Sequence, residues 1–285
     1  MPLPPFAHVR MTHSEADDWA SRVSQNGGTV STTVLRAVSD FCHAIDRGGV
    51  RSSIYRLNPF AGGNLSGCLV PLYRAASIGG TVIGNATDTN VNFVSADFAE
   101  TGASGGLKGN GSTKYLNTGF TTNSLPSATS MHLSFSATSA SVSGTPTFLG
   151  SYNGVLSGLV SLDEWSSSVT GGARTFRCGT ATSAQLPAVT SPGATESHMI
   201  GSKTSATSCV IYRSGTSAAS NSANVTPVRN DRPVFVFVLG TNSAPQAGGY
   251  SASRGRMYSI GSGIDATQAA AFSAAVIALN DALGR

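Results

Sequence analysis

Apolar positions near the N-terminus recur at helical spacing, whereas farther along they come in short runs between clusters of Gly, Ser, Thr and Asn. Ala16, Trp19, Ala20 and Val23 share one face of a helical period, and Thr12-His13-Ser14-Glu15 ahead of them has capping-box spacing. In such a box a hydroxyl and a carboxylate reciprocally satisfy the first free amides. Asn26-Gly27-Gly28 ends this helix. Val34, Leu35, Val38, Phe41, Cys42 and Ile45 predict a second helix, capped by Ser31 or Thr32 and stopped by Gly48-Gly49. Residues 50–57 read as a short helix before Asn58-Pro59, and 65–73 as a compact apolar segment whose type stays open. These faces are too small to form a stable domain alone. They are expected to pack on the rest of the chain or on a neighbouring subunit.

From about Ala75 the pattern is that of an antiparallel sandwich. Strands are predicted at 92–94, 114–117, 131–137, 147–152, 158–162, 174–178, 198–201, 208–213, 233–239 and 255–260. Alternation is clearest at Met131, Leu133 and Phe135, and at Phe235 and Phe237. Residues 234–239 are apolar at every position, so both faces of that strand must be covered. A last helix, 265–283, is capped by Asp265 with Gln268 three residues on, and buries Phe272, Val276, Leu279 and Leu283 before Gly284. No fixed-period repeat is visible, which excludes solenoids and propellers.

Composition sharpens this division. Of the 285 residues, 11% are charged against the ~25% of an average domain, and 33 are Gly. Twelve charged residues fall in 1–74 and twenty in the other 211 positions, so a more charged helical lead-in precedes a nearly uncharged body. The net charge of +4 comes from dispersed arginines, which gives no stripe for nucleic acid; Arg47, Arg51 and Arg56 are the nearest approach. No apolar run is long enough for membrane insertion, and residues 1–10, with three prolines, hold no signal-peptide core. Cys42, Cys68, Cys178 and Cys209 lack zinc spacing; they read as buried thiols, with a Cys178–Cys209 bridge as the alternative.

The wording of three stretches then narrows the class. "FVSADFAETGASGGLKGNGSTKYLNTGF" (93–120) resembles the opening of the concanavalin A-like, laminin-G-like jelly rolls in structural proteins of tailed bacteriophages. "GRMYSIGSGIDATQAAAFSAAVIALNDALGR" (255–285) is similar to their last strand and C-terminal helix, and "LRAVSDFCHAIDRGGVRSSIYRLNPFAGGNLSGCLVPLYR" (35–74) to their helical lead-in. The resemblance implies a mainly β fold: an antiparallel jelly-roll sandwich over 75–285, preceded by a helical region over 1–74 that anchors it or joins subunits. It also implies a virion context, with copies of itself and other virion proteins as partners in a homo-oligomer. It offers no catalytic residue to carry over.

The residues themselves offer little chemistry. There is no Gly-x-Ser-x-Gly elbow, and the five histidines sit near no obvious nucleophile. Asp163 and Glu164 are adjacent, so on a strand they point to opposite faces instead of flanking one glycosidic bond. Asp88, Asn90, Asn92, Asp97 and Glu100 offer oxygens, but Phe93 and Ala99 occupy the Gly and Glu positions of a calcium loop. The Gly102–Gly111 stretch reads as tight turns; it lacks the order of a phosphate loop. Sugar binding is the more interesting option, because sugar faces stack on aromatic rings, and Trp165, Tyr152, Tyr115 and Tyr250 could supply such a platform. The expectation is a non-catalytic structural protein of a tailed-phage particle, with no metal or cofactor. The alternatives are a host-glycan adhesin and, behind it, a polysaccharide-degrading enzyme using Asp163 or Glu164.

Overall fold

The computed structural model describes residues 11–138, 146–166, 173–179, 188–189, 197–241, 244–246 and 249–285. Helix α1 spans Ser14–Gln25 and α2 spans Thr32–Arg47. Ser31 caps α2 as expected, its side chain accepting from Val34 N–H. For α1 the structure corrects the sequence reading: His13 is the cap, its ring accepting from Glu15 N–H, while Thr12 donates to Asp17. The Glu15 carboxylate is not free to close a capping box, because Arg51 holds it.

Residues 50–57 are not a helix. Arg51–Ser53 makes a single tight turn, and strand β1, Ile54–Asn58, follows. Ile54 and Leu57 are buried beneath the helices while the β1 backbone pairs elsewhere, so the tertiary partner overrides a weak local preference. Helix α3, Leu65–Cys68, is one turn. The next strands are β2 (Thr89–Val91), β3 (Phe98–Ala99), β4 (Gly106–Lys108), β5 (Tyr115–Thr121), β6 (Met131–Ala137) and β7 (Thr147–Tyr152). Then come β8 (Val160–Ser166), β9 (Ala173–Cys178), β10 (Ala188–Val189), β11 (Ser197–Ser205), β12 (Ser208–Arg213) and β13 (Thr216–Asn221). The chain ends with β14 (Pro233–Val236), β15 (Leu239–Thr241), β16 (Ala244–Pro245), β17 (Arg254–Gly261) and helix α4 (Ala266–Ala282).

Further strand boundaries differ from expectation: β5, β8 and β11 run four residues past the predicted ends at 117, 162 and 201. The strand at 92–94 lies earlier, at β2, because Asn92 turns with φ +66 and the Asn90 side chain holds the Phe93 backbone. The apolar run 233–239 is buried along 234–239, but it is two strands: Phe237 adopts φ +71 between them and packs its ring on Phe60, Phe93 and Phe135.

The strands form a sandwich. One eight-stranded sheet runs β13-β12-β11-β6-β17-β4-β3, with β1 also on β17; a nine-stranded sheet runs β10-β9-β8-β7-β14-β5-β2, with β15 also on β7 and β16 on β15. Among the described residues the pairings are antiparallel except β15 on β7. The chain changes sheet repeatedly, from β5 to β6 to β7 and from β13 to β14, so strands distant in sequence become neighbours. Phe135, Phe148, Leu116, Leu162, Phe176 and Ile211 belong to the core between the sheets. A second apolar cluster joins α1, α2 and α4 to the outside of the eight-stranded sheet: Trp19, Phe41, Ile45, Phe272 and Val276 meet Tyr212 and Met257. The N-terminal helices therefore pack on this chain's own sandwich.

Helix α4 matches its signals, with Asp265 and Gln268 forming the capping box. The β12–β13 hairpin can approach it because Gly215 sits at φ +84, where a Cβ would lie 2.8 Å from Ala270 Cα. A buried polar network ties the lead-in to the sandwich. Arg56 donates to Asp88 Oδ1 at 2.6 Å and to Tyr258 Oη at 3.0 Å, and Asn58 donates to Asp88 Oδ2 at 2.8 Å. All four cysteines are free and buried, so Cys178 and Cys209 are not bridged. Burial raises their thiols, Cys209 to about 11 and Cys178 well above its ordinary value.

Candidate functional site

Strand β5 alternates strictly: Leu116, Thr118 and Phe120 are buried, while Tyr115, Asn117, Gly119 and Thr121 are half-buried on the other face. The register carries this outer face onto β14, where Phe235 lies opposite Asn117, and onto β7, where Phe235 faces Gly150. Gly240 lies against the Phe235 ring, where a Cβ would come within 3.1 Å of it, and Tyr115 also packs on this ring. The two rings stack at 4.9 Å with an interplanar angle of 26°. Tyr250 completes the group, tilted 60° at 6.4 Å from Tyr115. Phe235 is 2% exposed, whereas Tyr115 and Tyr250 are half-buried.

Polar groups border these rings. Asn117 Oδ1 accepts from Gly119 N–H, and the Asn117 carbonyl accepts from Asn85, whose amide also reaches the Thr89 hydroxyl at 3.1 Å. Burial, with Tyr115 adding to it, raises the Tyr250 phenol above its ordinary value, so it stays neutral and able both to donate and to accept. Two half-buried phenol rings, one of them stacked on a buried phenylalanine and both flanked by Asn and Thr, can stack an apolar sugar face and hydrogen-bond its hydroxyls.

The structure unites two of the four aromatic candidates. Tyr115 and Tyr250 come together; Tyr152, half-buried at the end of β7, makes no ring contact with either among the described residues. Trp165 lies on β8, and its side chain is outside the described residues. Phe235 went unread as part of the site because it sits in a uniformly apolar run. The two-residue alternation from Tyr115 to Thr121 was the available signal for the face.

The acidic candidates all have internal partners. Asp163 accepts from Thr147 at 3.0 Å, Thr175 at 2.8 Å and Arg177 at 2.5 Å. Glu164, on the other side of the strand, accepts from the Ser251 and Ser253 hydroxyls. Both carboxylates are fully buried. The oxygens of the calcium-like stretch also part company. Asp88 serves Arg56, Asp97 pairs with Lys114 at 2.6 Å, and Glu100 accepts from Gly62 and Gly63 N–H.

His13, Glu15 and Asp46 do converge between α1 and α2. Arg51 neutralises Glu15, and His13 Nε2 lies 2.9 Å from Asp46, so the cluster reads as a hydrogen-bonded clasp between helices. Gly102, Gly106 and Gly111 adopt φ of +77, +108 and +72, the conformation that tight turns require.

No family model matches the chain, and no curated protein matches it. Solved structures of related shape include NanB sialidase of Streptococcus pneumoniae, with 12% identity over 56% of this chain and 26% of that chain, at a TM-score of 0.40. Domain 4 of AbnA, an extracellular arabinanase of Geobacillus stearothermophilus solved with arabinotriose, has 13% identity over 78% of this chain and 98% of that chain, at 0.40. Mouse laminin α1 domains LG4-5 give 14% over 48% and 37%, at 0.32. The β-sandwich assignment rests on the sheet order itself.

Proposed function

We propose that the chain is a non-catalytic recognition module that binds a carbohydrate on the outer face of the nine-stranded sheet. The observation that carries this reading is the Tyr115–Phe235–Tyr250 group: half-buried Tyr115 stacked on the buried Phe235, with half-buried Tyr250 tilted beside Tyr115, bordered by Asn117, Asn85 and Thr89. Binding is favoured over hydrolysis because Asp163 and Glu164 are buried, separately paired and on opposite sides of β8. A general acid and a nucleophile would have to flank one bond. Glycan-array screening of the full chain tests the reading. Binding should be lost in Tyr115→Ala and Tyr250→Ala; a bound glycan retained unchanged by both variants would remove the platform. Trp165→Ala in the same screen tests whether that ring belongs to it.

The finer reading is that this module is a structural component of a tailed-phage particle, displayed there as a homo-oligomer and contacting other virion proteins. Its support is the residue wording of 35–74, 93–120 and 255–285, together with one surface observation. Val155, Leu156 and Val228 are 58%, 44% and 52% exposed, and Val228 N–H donates to the Ser157 carbonyl, which brings these aliphatic side chains to one edge. Such an edge suits contact with another protein chain. Sedimentation and antibody-labelled electron microscopy of particles test this part. A monomer at every concentration, absent from particles, would reject the virion role and leave the sugar site standing.

A further inference from the structure

Beneath α4, against the outside of the eight-stranded sheet, lies a cavity of about 210 Å³. Its sheet wall carries Ser136 from β6, His198 from β11 and Arg256 from β17; α4 supplies Asn280, and Arg285 closes one end. These five side chains are polar and are between 2% and 9% exposed. A pocket that only filled space under a helix would be lined by aliphatic groups, and here Val276 and Ile277 supply only part of the wall.

His198 is the informative member. Its Nδ1 lies 3.0 Å from Ser273 Oγ, and its ring meets Phe272 edge-on at 4.8 Å, which fixes its orientation. Its Nε2 is buried and has no hydrogen-bond partner among the described residues. Buried polar atoms are nearly always paired, so an unpaired ring nitrogen in the wall of a polar cavity points to a visiting partner. The charge of the walls indicates which kind. Arg256 and Arg285 contribute two guanidinium groups, and the one lining acid, Asp281, is exposed at the rim. Burial, opposed by Glu100 and reinforced by the charge of Arg256, lowers Arg285 to about 10, which leaves it cationic at neutral pH.

We propose that this cavity binds a small oxyanion, a carboxylate or phosphate group, held by the Asn280 amide and His198 Nε2 in the positive field of Arg256 and Arg285. Arg285 contributes positive charge while its own donors stay on the carbonyls of Pro59, Phe60 and Glu100. The site is independent of the tyrosine platform, which lies on the other sheet.

Titration of the full chain, labelled with ¹⁵N at histidine, by sodium acetate and by inorganic phosphate tests this, against sodium chloride at equal ionic strength. The expected result is a saturable change at the His198 imidazole with at least one of the two anions. The His198 pKa should also rise from about 3, since an anion favours the imidazolium; His132 is the other titratable group facing it. Saturation by acetate alone assigns a carboxylate ligand, and by phosphate alone a phosphate. Two exposed positions on α4 give variants that leave the core intact. Asp281→Asn should tighten binding by about 2–5-fold, the worth of one solvent-screened charge, and Ile277→Glu should weaken it comparably. The proposal is overturned if neither anion gives a saturable change, or if both variants titrate like the parent.

Discussion

Outside the eight-stranded sheet, α4 and the residues ahead of it cover His132, Ser134, Ser136, His198, Ser202 and Ser259 until none is more than 5% exposed. Outside the nine-stranded sheet, Tyr115, Asn117 and Tyr250 remain half-buried. The first face binds the molecule to itself: His132 bonds to the Ser262 carbonyl and Ser259, Ser202 to the Ile264 carbonyl, and His198 to Ser273. The second leaves rings and amides within reach of a ligand. The difference teaches where substitutions should be felt. Changes to the buried groups of the helical side should appear in stability, and changes at the tyrosines in glycan binding.

The contrast can be broken most severely at its anchors. Asp88→Ala strands the buried Arg56 guanidinium and should cost about 3–5 kcal/mol in urea unfolding. Phe272→Ala removes a fully buried ring that both histidines touch and should cost a similar ~3–5 kcal/mol. Acid comes next. Burial lowers His132 to about 4 and His198 to about 3, both below the unfolded value of about 6.5. Between those values the unfolded chain binds more protons than the folded one. Stability should therefore be level above about pH 7, fall as pH drops through 6.5 toward 3, and lose several kcal/mol over that window. His132→Gln should flatten part of the fall in a melting series across pH.

Smaller effects sharpen the other side of the comparison. Lys114→Ala removes a surface ion pair to Asp97, with side chains 17% and 16% exposed, and should shift unfolding by no more than ~1 kcal/mol. Tyr250→Ala should change stability least of all, by under about 1 kcal/mol, while abolishing glycan capture. A loss of stability at Tyr250 matching that at Phe272 would show the ring to be core.

Much of the local structure was legible along the chain. The bounds of β6, β7 and β12 match the runs at 131–137, 147–152 and 208–213, and Ser31 and Asp265 cap α2 and α4 as their hydroxyl and carboxylate predict. Three of the misreadings share one cause. At β1, at Phe237 and at the His13 cap, a residue far along the chain outweighs the local preference: β17 pairs with β1, Phe60 and Phe135 hold the Phe237 ring, and Arg51 takes Glu15. The site was half legible, since Tyr115 and Tyr250 are conspicuous as aromatics but nothing in their spacing brings them to Phe235.

The sequence by itself determined helices α2 and α4 with their caps, several strands, the alternation of β5 and the low charge, because each follows from contacts within a few residues. The tertiary structure decided which elements meet. Arg56 reaches Tyr258 across 202 positions, and Asn280 reaches Ser136 across 144. Loop closure makes such pairings a property of the assembled sheets, so whether a tyrosine is platform or core, or a histidine free or sealed, is settled only once those sheets have packed.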